Sequence, residues 1–112
     1  MRKIPEKIKL QLMKDKFMWN CCLCGISKAE RKIDWHHNLI YAGKQSNDPH
    51  SILPLCRKCH AKADDTRVKE VLDWIMFFVR GLNPLDYPKS LLFQRFRYLS
   101  TLYISKKLEY NI

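Results

Sequence analysis

Three short stretches decide how this chain folds: Cys21-Cys22-Leu23-Cys24, Asp34-Trp35-His36-His37 and Cys56-Arg57-Lys58-Cys59-His60. The first and the last each contain a C-x-x-C pair, whose two-residue gap lets one turn present both sulfurs to a tetrahedral ion. Two such pairs supply the four thiolates of a typical structural zinc site. Because a site with four cysteine ligands needs no imidazole, the three histidines of these stretches are available for a second, water-accessible site that binds a harder metal ion.

The cysteines allow other interpretations. Cys22 belongs to neither C-x-x-C pair. An odd number of cysteines in a reducing compartment favours metal binding over disulfides. One alternative is a mixed zinc site in which Cys22 or His60 replaces a thiolate. Another is a redox pair of Cys21 and Cys24, which is disfavoured because a second C-x-x-C pair is present and no βαβ pattern surrounds the first. For the histidines, the simplest alternative is packing within a strand or a contribution to zinc binding.

The composition indicates one small, basic, folded domain. With 112 residues, 46% of them hydrophobic, the chain can form one core, and a bound metal would help to stabilise it. No apolar run reaches the roughly 18 to 20 residues that a bilayer span needs, so we expect no membrane partner. The charged N-terminus has no hydrophobic segment behind it, so we expect a reducing cytoplasm. The formal net charge of +10 predicts a polyanionic partner such as DNA, with plain solubility as the alternative.

Periodicity predicts helices on both sides of a short, strand-rich centre. An internal proline should confine the second strand to an edge or a bend, and Asp64-Asp65-Thr66 should end or recap a helix. The predicted elements are a helix over residues 4–17, a strand over 33–41, a polar loop over 42–49, a strand over 52–55 and helices over 56–63, 68–81 and 90–107.

In this order and spacing, the motifs resemble the HNH, or ββα-metal, endonucleases, in the subset whose finger is supported by a four-cysteine zinc. The resemblance covers about residues 17–64 and includes the adjacent histidines, the polar loop, the run Ile52-Leu53-Pro54-Leu55-Cys56 and C-x-x-C-H. It implies an α+β, mostly helical fold in one domain over residues 1–112. A ββα-metal finger would be flanked by one N-terminal helix and by two C-terminal helices over about residues 65–112. The structural zinc ligands would be Cys21, Cys24, Cys56 and Cys59.

The resemblance also implies roles for the histidines. By position, His37 is the general base, and His36 and His60 are ligands of a catalytic divalent ion such as Mg²⁺, Mn²⁺ or Zn²⁺. A neutral imidazole with a pKa near 6.5 can accept a proton from an attacking water at cellular pH. Since neighbouring strand residues point to opposite sides, one histidine can bind metal while the other faces water.

Two further residues have less certain counterparts in the family. Five positions before Cys56, where the family commonly has an asparagine that orients the base or its loop, this chain has Ser51. Ser51 is therefore the implied second catalytic residue, beside His37. Asp34 is expected to hold the imidazole of His36 from behind, as metal-bound histidines usually require, or simply to cap the strand.

The predicted function is metal-dependent hydrolysis of DNA phosphodiester bonds, by an enzyme small enough to belong to a phage or a mobile element. The alternative is a non-catalytic zinc-finger protein that binds nucleic acid. The three histidines favour the enzyme, because a binding protein needs no open metal site, whereas Ser51 favours the alternative.

The apolar residues of the C-terminal helices suggest an assembly. Residues 74–79 are apolar nearly all round their helix, and the last helix adds a second apolar stripe. One small finger cannot easily cover this surface, so the sequence predicts a homodimer through the C-terminal helices.

Overall fold

The computed structural model describes residues 4–41, 44–87 and 91–101, and it is a small α+β domain, as predicted. The helices are α1 (Glu6–Met13), α2 (Arg57–His60), α3 (Thr66–Phe78) and α4 (Leu92–Thr101). The strands are β1 (Ile33–His37), β2 (Ile40–Tyr41), β3 (Lys44–Gln45) and β4 (Ile52–Cys56). Short 3-10 helices lie at Lys16–Trp19, Pro49–Ser51 and Pro84–Asp86.

The β1–β4 pair is the centre of the fold. The two strands are antiparallel, with Ile33 opposite Cys56 at one end and His37 opposite Ile52 at the other. Helix α2 begins directly after β4, with Cys56 as its N-cap residue. The second cysteine pair therefore lies at one end of the sheet, and the histidine pair of β1 lies towards the other.

Pro54 sits inside β4 without interrupting the ladder. It lies opposite Trp35, and its carbonyl oxygen accepts a hydrogen bond from the Cys22 amide at 2.9 Å. The nitrogen and the carbonyl of one strand residue point to the same edge, so the missing N–H of Pro54 faces away from β1. The predicted edge position is confirmed.

The predicted strand over residues 33–41 was wrong in its length. Strand β1 ends at His37, and Ile40–Tyr41 pairs with Lys44–Gln45 in a separate two-stranded sheet. Asn38 interrupts the strand because its side chain is buried and donates to Asp73 at 2.9 Å. The polar loop over 42–49 thus contains β3.

Three predicted helices were too long in the described residues. The helix predicted over 56–63 ends at His60 and is followed by a turn up to residue 64. α1 ends at Met13, and Asp15 then starts a 3-10 helix by accepting from the Phe17 amide at 3.0 Å. α3 begins after Asp65, whose carboxylate accepts from the amides of Arg67 and Val68, so the predicted recapping is confirmed. α3 ends at Phe78, before the positive-φ residue Gly81 (φ 82°). For the last helix, residue 90 and residues 102–107 lie outside the described residues.

The core lies between β4, α3 and α4. Leu53, Leu55, Leu72, Met76 and Leu99 are all buried there. Residues 74–77, which suggested a homodimer, are buried within the chain itself, so the homodimer stays a prediction without that argument. Across the described ranges, every helix is too short or too polar to traverse a bilayer.

Candidate metal centre and histidine cleft

The four predicted cysteines meet at one end of the β1–β4 sheet. The sulfurs of Cys21, Cys24, Cys56 and Cys59 all lie within 4.8 Å of one another, and those of Cys24 and Cys56 are 3.7 Å apart. Four Zn–S bonds of about 2.3 Å in a tetrahedron put the sulfurs about 3.8 Å apart. The cluster therefore has the size and the donor set to hold a metal ion such as zinc.

Local backbone geometry brings the first pair into position. The amide of Gly25 donates to the Cys21 carbonyl at 2.9 Å, and the amide of Cys21 donates to the Ile26 carbonyl at 2.9 Å. Gly25 closes this turn with a φ of 79°, a conformation that L side chains rarely adopt. A positive-φ residue directly after Cys24 thus completes the turn that presents the first cysteine pair.

The thiols of the second pair differ in acidity. Burial opposes ionisation of Cys56, but hydrogen bonds from the Cys59 amide, from Arg31 and from neighbouring sulfurs lower the pKa of Cys56 to about 6. Burial and the adjacent sulfurs raise the pKa of Cys59. The Cys56 thiol thus ionises readily, whereas the Cys59 thiol does not. Crowded sulfurs behave in this way, and a bound cation would stabilise them as thiolates.

Cys22 lies outside the cluster, as predicted for the spare cysteine. Its side chain is partly buried, and burial together with the nearby Cys21 raises the pKa of Cys22 to about 12. The Cys22 sulfur is not among the four that converge within 4.8 Å. The mixed zinc site with Cys22 is therefore not supported.

The rings of His36, on β1, and His60, on α2, lie next to each other. Their ring centroids are 5.1 Å apart with the planes at 70°. Burial and the neighbouring His60 lower the pKa of His36 to about 4, so the His36 ring is neutral at cellular pH. A neutral imidazole is the form that binds metal.

Asp34 holds His60, where the sequence analysis expected it to hold His36. His60 Nδ1 donates to Asp34 Oδ2 at 3.0 Å, and Arg57 donates to both carboxylate oxygens at 3.0 and 3.3 Å. Although burial opposes its ionisation, these donors lower the pKa of Asp34. Because Nδ1 of His60 holds the proton, its Nε2 is the nitrogen left for a metal ion.

His37 points towards the loop that precedes β4. Its ring is buried, and Nε2 donates to Asn47 Oδ1 at 3.0 Å. Ser51 is fully buried, and its hydroxyl donates to the carbonyls of Asp48 (2.8 Å) and Ser46 (3.4 Å). The amide that orients His37 is therefore provided by Asn47, and Ser51 holds the loop instead.

A cleft of about 340 Å³ lies beside these histidines. His36 and His37 both line it, as do Asp64 and Lys69. Its floor is a polar network in which Asp73 accepts from Asn38 and Lys69 at 2.9 Å each and from Arg95 at 3.0 Å. The cleft thus combines imidazole, carboxylate and ammonium groups.

This site also contains Asn47, Asp64 and the Asp73 network, which the sequence did not predict. Helix α2 ends at His60, and Asp64 lies in the turn beyond it, so no helical spacing links Asp64 to the histidines. Asn47 and Asp73 have no spacing signal either, because only the tertiary fold brings them to the histidines.

No protein-family model, curated protein or solved structure matches this chain.

Proposed function

We propose that this chain is a metal-dependent endonuclease of the HNH type, which hydrolyses DNA phosphodiester bonds. The observation on which the proposal rests is that His36 and His37 both line the cleft, and that the ring centroid of His60 on α2 lies 5.1 Å from that of His36. The succession of β1, β4 and α2 around these histidines supports a ββα-metal finger. The cysteine cluster supports a structural zinc at its base.

The proposed general base is His37. With the amide oxygen of Asn47 fixed at Nε2, that nitrogen holds the proton and Nδ1 has the lone pair. An imidazole in this tautomer can take a proton from a water that attacks phosphorus. Positioned general bases typically contribute a factor of about 10² to 10⁴ to the rate.

The proposed ligands of the catalytic ion are His36 and His60. The ion would neutralise charge that develops on the phosphate and on the leaving 3′ oxygen during displacement. Imidazole donors suit Mn²⁺ or Zn²⁺ better than Mg²⁺, which prefers oxygen, and Asp64 adds a carboxylate to the same cleft. We therefore expect Mn²⁺ to support activity at lower concentration than Mg²⁺.

The proposed DNA contacts are basic side chains near α2. Arg57 is 69% exposed although it pairs with Asp34, and Lys58, Lys62 and Arg67 are also exposed. With a net charge of +10, such a surface neutralises phosphates, and the affinity should fall steeply as salt rises.

A non-catalytic zinc finger that binds nucleic acid is the second candidate. The observation that favours it is that, in the part of the chain that the structure describes, the four cysteines are the only group of three or more potential metal ligands that converge. Two imidazoles alone make a weak divalent site.

Single-turnover cleavage of supercoiled plasmid and of a four-way junction, in Mg²⁺, in Mn²⁺ and in EDTA, separates the two candidates. The enzyme should cut in either ion and stop in EDTA. His37→Ala should lower the rate by about 10² to 10⁴-fold while zinc content and DNA affinity are retained. His60→Ala should instead raise the ion concentration needed. Binding without cleavage, or cleavage by His37→Ala at the wild-type rate, would contradict the proposed function.

A further inference from the structure

The loop that orients His37 has little structure of its own. Asn47 lies between β3 and the 3-10 helix at Pro49–Ser51, in a segment without helix or strand. Its placement determines which nitrogen of His37 holds the proton, because the Asn47 oxygen can only accept. If this loop rotated or shifted, the hydrogen bond between Asn47 and His37 would be lost, and the proton could reside on either ring nitrogen of His37.

Tyr87, which lies far along the chain, bridges the two residues that flank Asn47. Its hydroxyl donates to Asp48 Oδ2 at 2.8 Å and lies 3.3 Å from the Ser46 hydroxyl. Burial raises the pKa of Tyr87 to about 12, so the hydroxyl keeps its proton. The Tyr87 hydroxyl thus holds the loop at the two residues on either side of Asn47.

Arg80 holds the same loop at Pro49. Its guanidinium donates to the Pro49 carbonyl at 2.7 Å and to Asp15 at 2.6 Å, and it lies 4.7 Å from the centre of the Phe17 ring. The Arg80 side chain is only 8% exposed. A buried guanidinium with partners in two segments is a rigid connection between them.

We propose that Tyr87 is a positioning residue for the proposed hydrolysis: by holding the loop at Ser46 and Asp48, it keeps Asn47 on His37 and so keeps His37 in its base tautomer. The inference rests on the proposed function. It gives the segment that follows α3 a role in the site, although that segment lies outside the finger. Arg80 is a second anchor for the same loop.

The test is Tyr87→Phe, which removes one hydroxyl and keeps the ring. Loss of one such hydrogen bond should lower the single-turnover cleavage rate about three- to tenfold, with DNA affinity and zinc content unchanged. The matched control is Tyr98→Phe, because Tyr98 also donates its hydroxyl to a carboxylate, Glu70, at 3.0 Å. The control should cut at the wild-type rate.

A second readout does not depend on cleavage. Ring ¹⁵N chemical shifts of His37 report its tautomer directly. Wild type and Tyr98→Phe should show Nε2–H alone, whereas Tyr87→Phe and Asn47→Leu should show a mixture of both tautomers. A Tyr87→Phe protein with the wild-type tautomer would overturn the positioning role. If wild type does not cut DNA but the tautomer shifts as expected, only the proposed function fails.

Discussion

The cysteine cluster and the histidine cleft both adjoin the β1–β4 pair but are built in different ways. The cluster is closed and local: two turns of the chain bring four sulfurs within 4.8 Å, and one ion would satisfy them all. The histidines at and next to the cleft are oriented by residues remote in sequence. Asn47 contacts His37, which lines the cleft, and Asp34 contacts His60, whose ring neighbours that of His36. Stability should therefore depend mainly on the cysteine cluster, and chemistry on the histidine cleft.

The largest expected effect is loss of the cluster. Cys59→Ser should abolish zinc binding and unfold the finger, because a structural zinc of this kind contributes roughly 10 to 16 kcal/mol of apparent binding energy, while a small domain has about 5 to 15 kcal/mol of stability in total. Zinc stoichiometry by native mass spectrometry and thermal unfolding would measure this. Cys22→Ser is the matched control and should be mild. Equal losses in both variants would refute the ligand assignment.

The floor of the cleft should matter less for stability. Asp73→Leu leaves Lys69, Arg95 and Asn38 without their shared acceptor, which should lower the free energy of unfolding by about 1 to 3 kcal/mol. Urea unfolding of zinc-loaded protein would measure it. Glu70→Gln, at an exposed hydrogen bond from Tyr98, is the control and should change little. A neutral Asp73→Leu would show that the network is dispensable.

Asp34 offers a way to weaken the cleft without touching the cluster. Asp34→Asn should lower the affinity of the cleft for Mn²⁺ about 10 to 100-fold, because the carboxylate that orients His60 is lost, and it should leave bound zinc unchanged. Mn²⁺ titration followed by electron paramagnetic resonance would measure this. Glu30→Gln, at an exposed carboxylate, is the control. An unchanged Mn²⁺ affinity would remove His60 from the proposed ligands.

The smallest effect is on the pH dependence of stability. Above pH 6.5, His36 is neutral in both the folded and the unfolded chain. Between the ordinary histidine pKa of 6.5 and the folded pKa of His36 of about 4, only the unfolded chain binds the proton. Acid in this range therefore favours unfolding. His36→Gln should lose less stability than wild type between pH 7 and pH 5 in urea titrations. A loss equal to that of wild type would contradict the lowered pKa of His36.

The sequence predicted the cluster well and the cleft only in part, and the reason is physical. A C-x-x-C pair fixes two sulfurs through one local turn, so the spacing of the cysteines pointed to the four that converge in the structure. The histidines were also visible, because they are adjacent in one strand. Their orientation was not, because it depends on side chains that the tertiary fold brings together. The strand over residues 33–41 was overextended for the same reason: Asn38 turns inward to reach Asp73 on α3.

The most direct test of this division is to remove and restore the divalent ion while fold, zinc content and cleavage are followed in one sample. We predict that dialysis against a mild chelator stops cleavage and that added Mn²⁺ restores it. The one bound zinc ion and the circular dichroism spectrum should stay unchanged throughout. Cleavage that continues without added ion, or that disappears only when zinc and fold are lost, would contradict separate roles for the histidine cleft and the cysteine cluster.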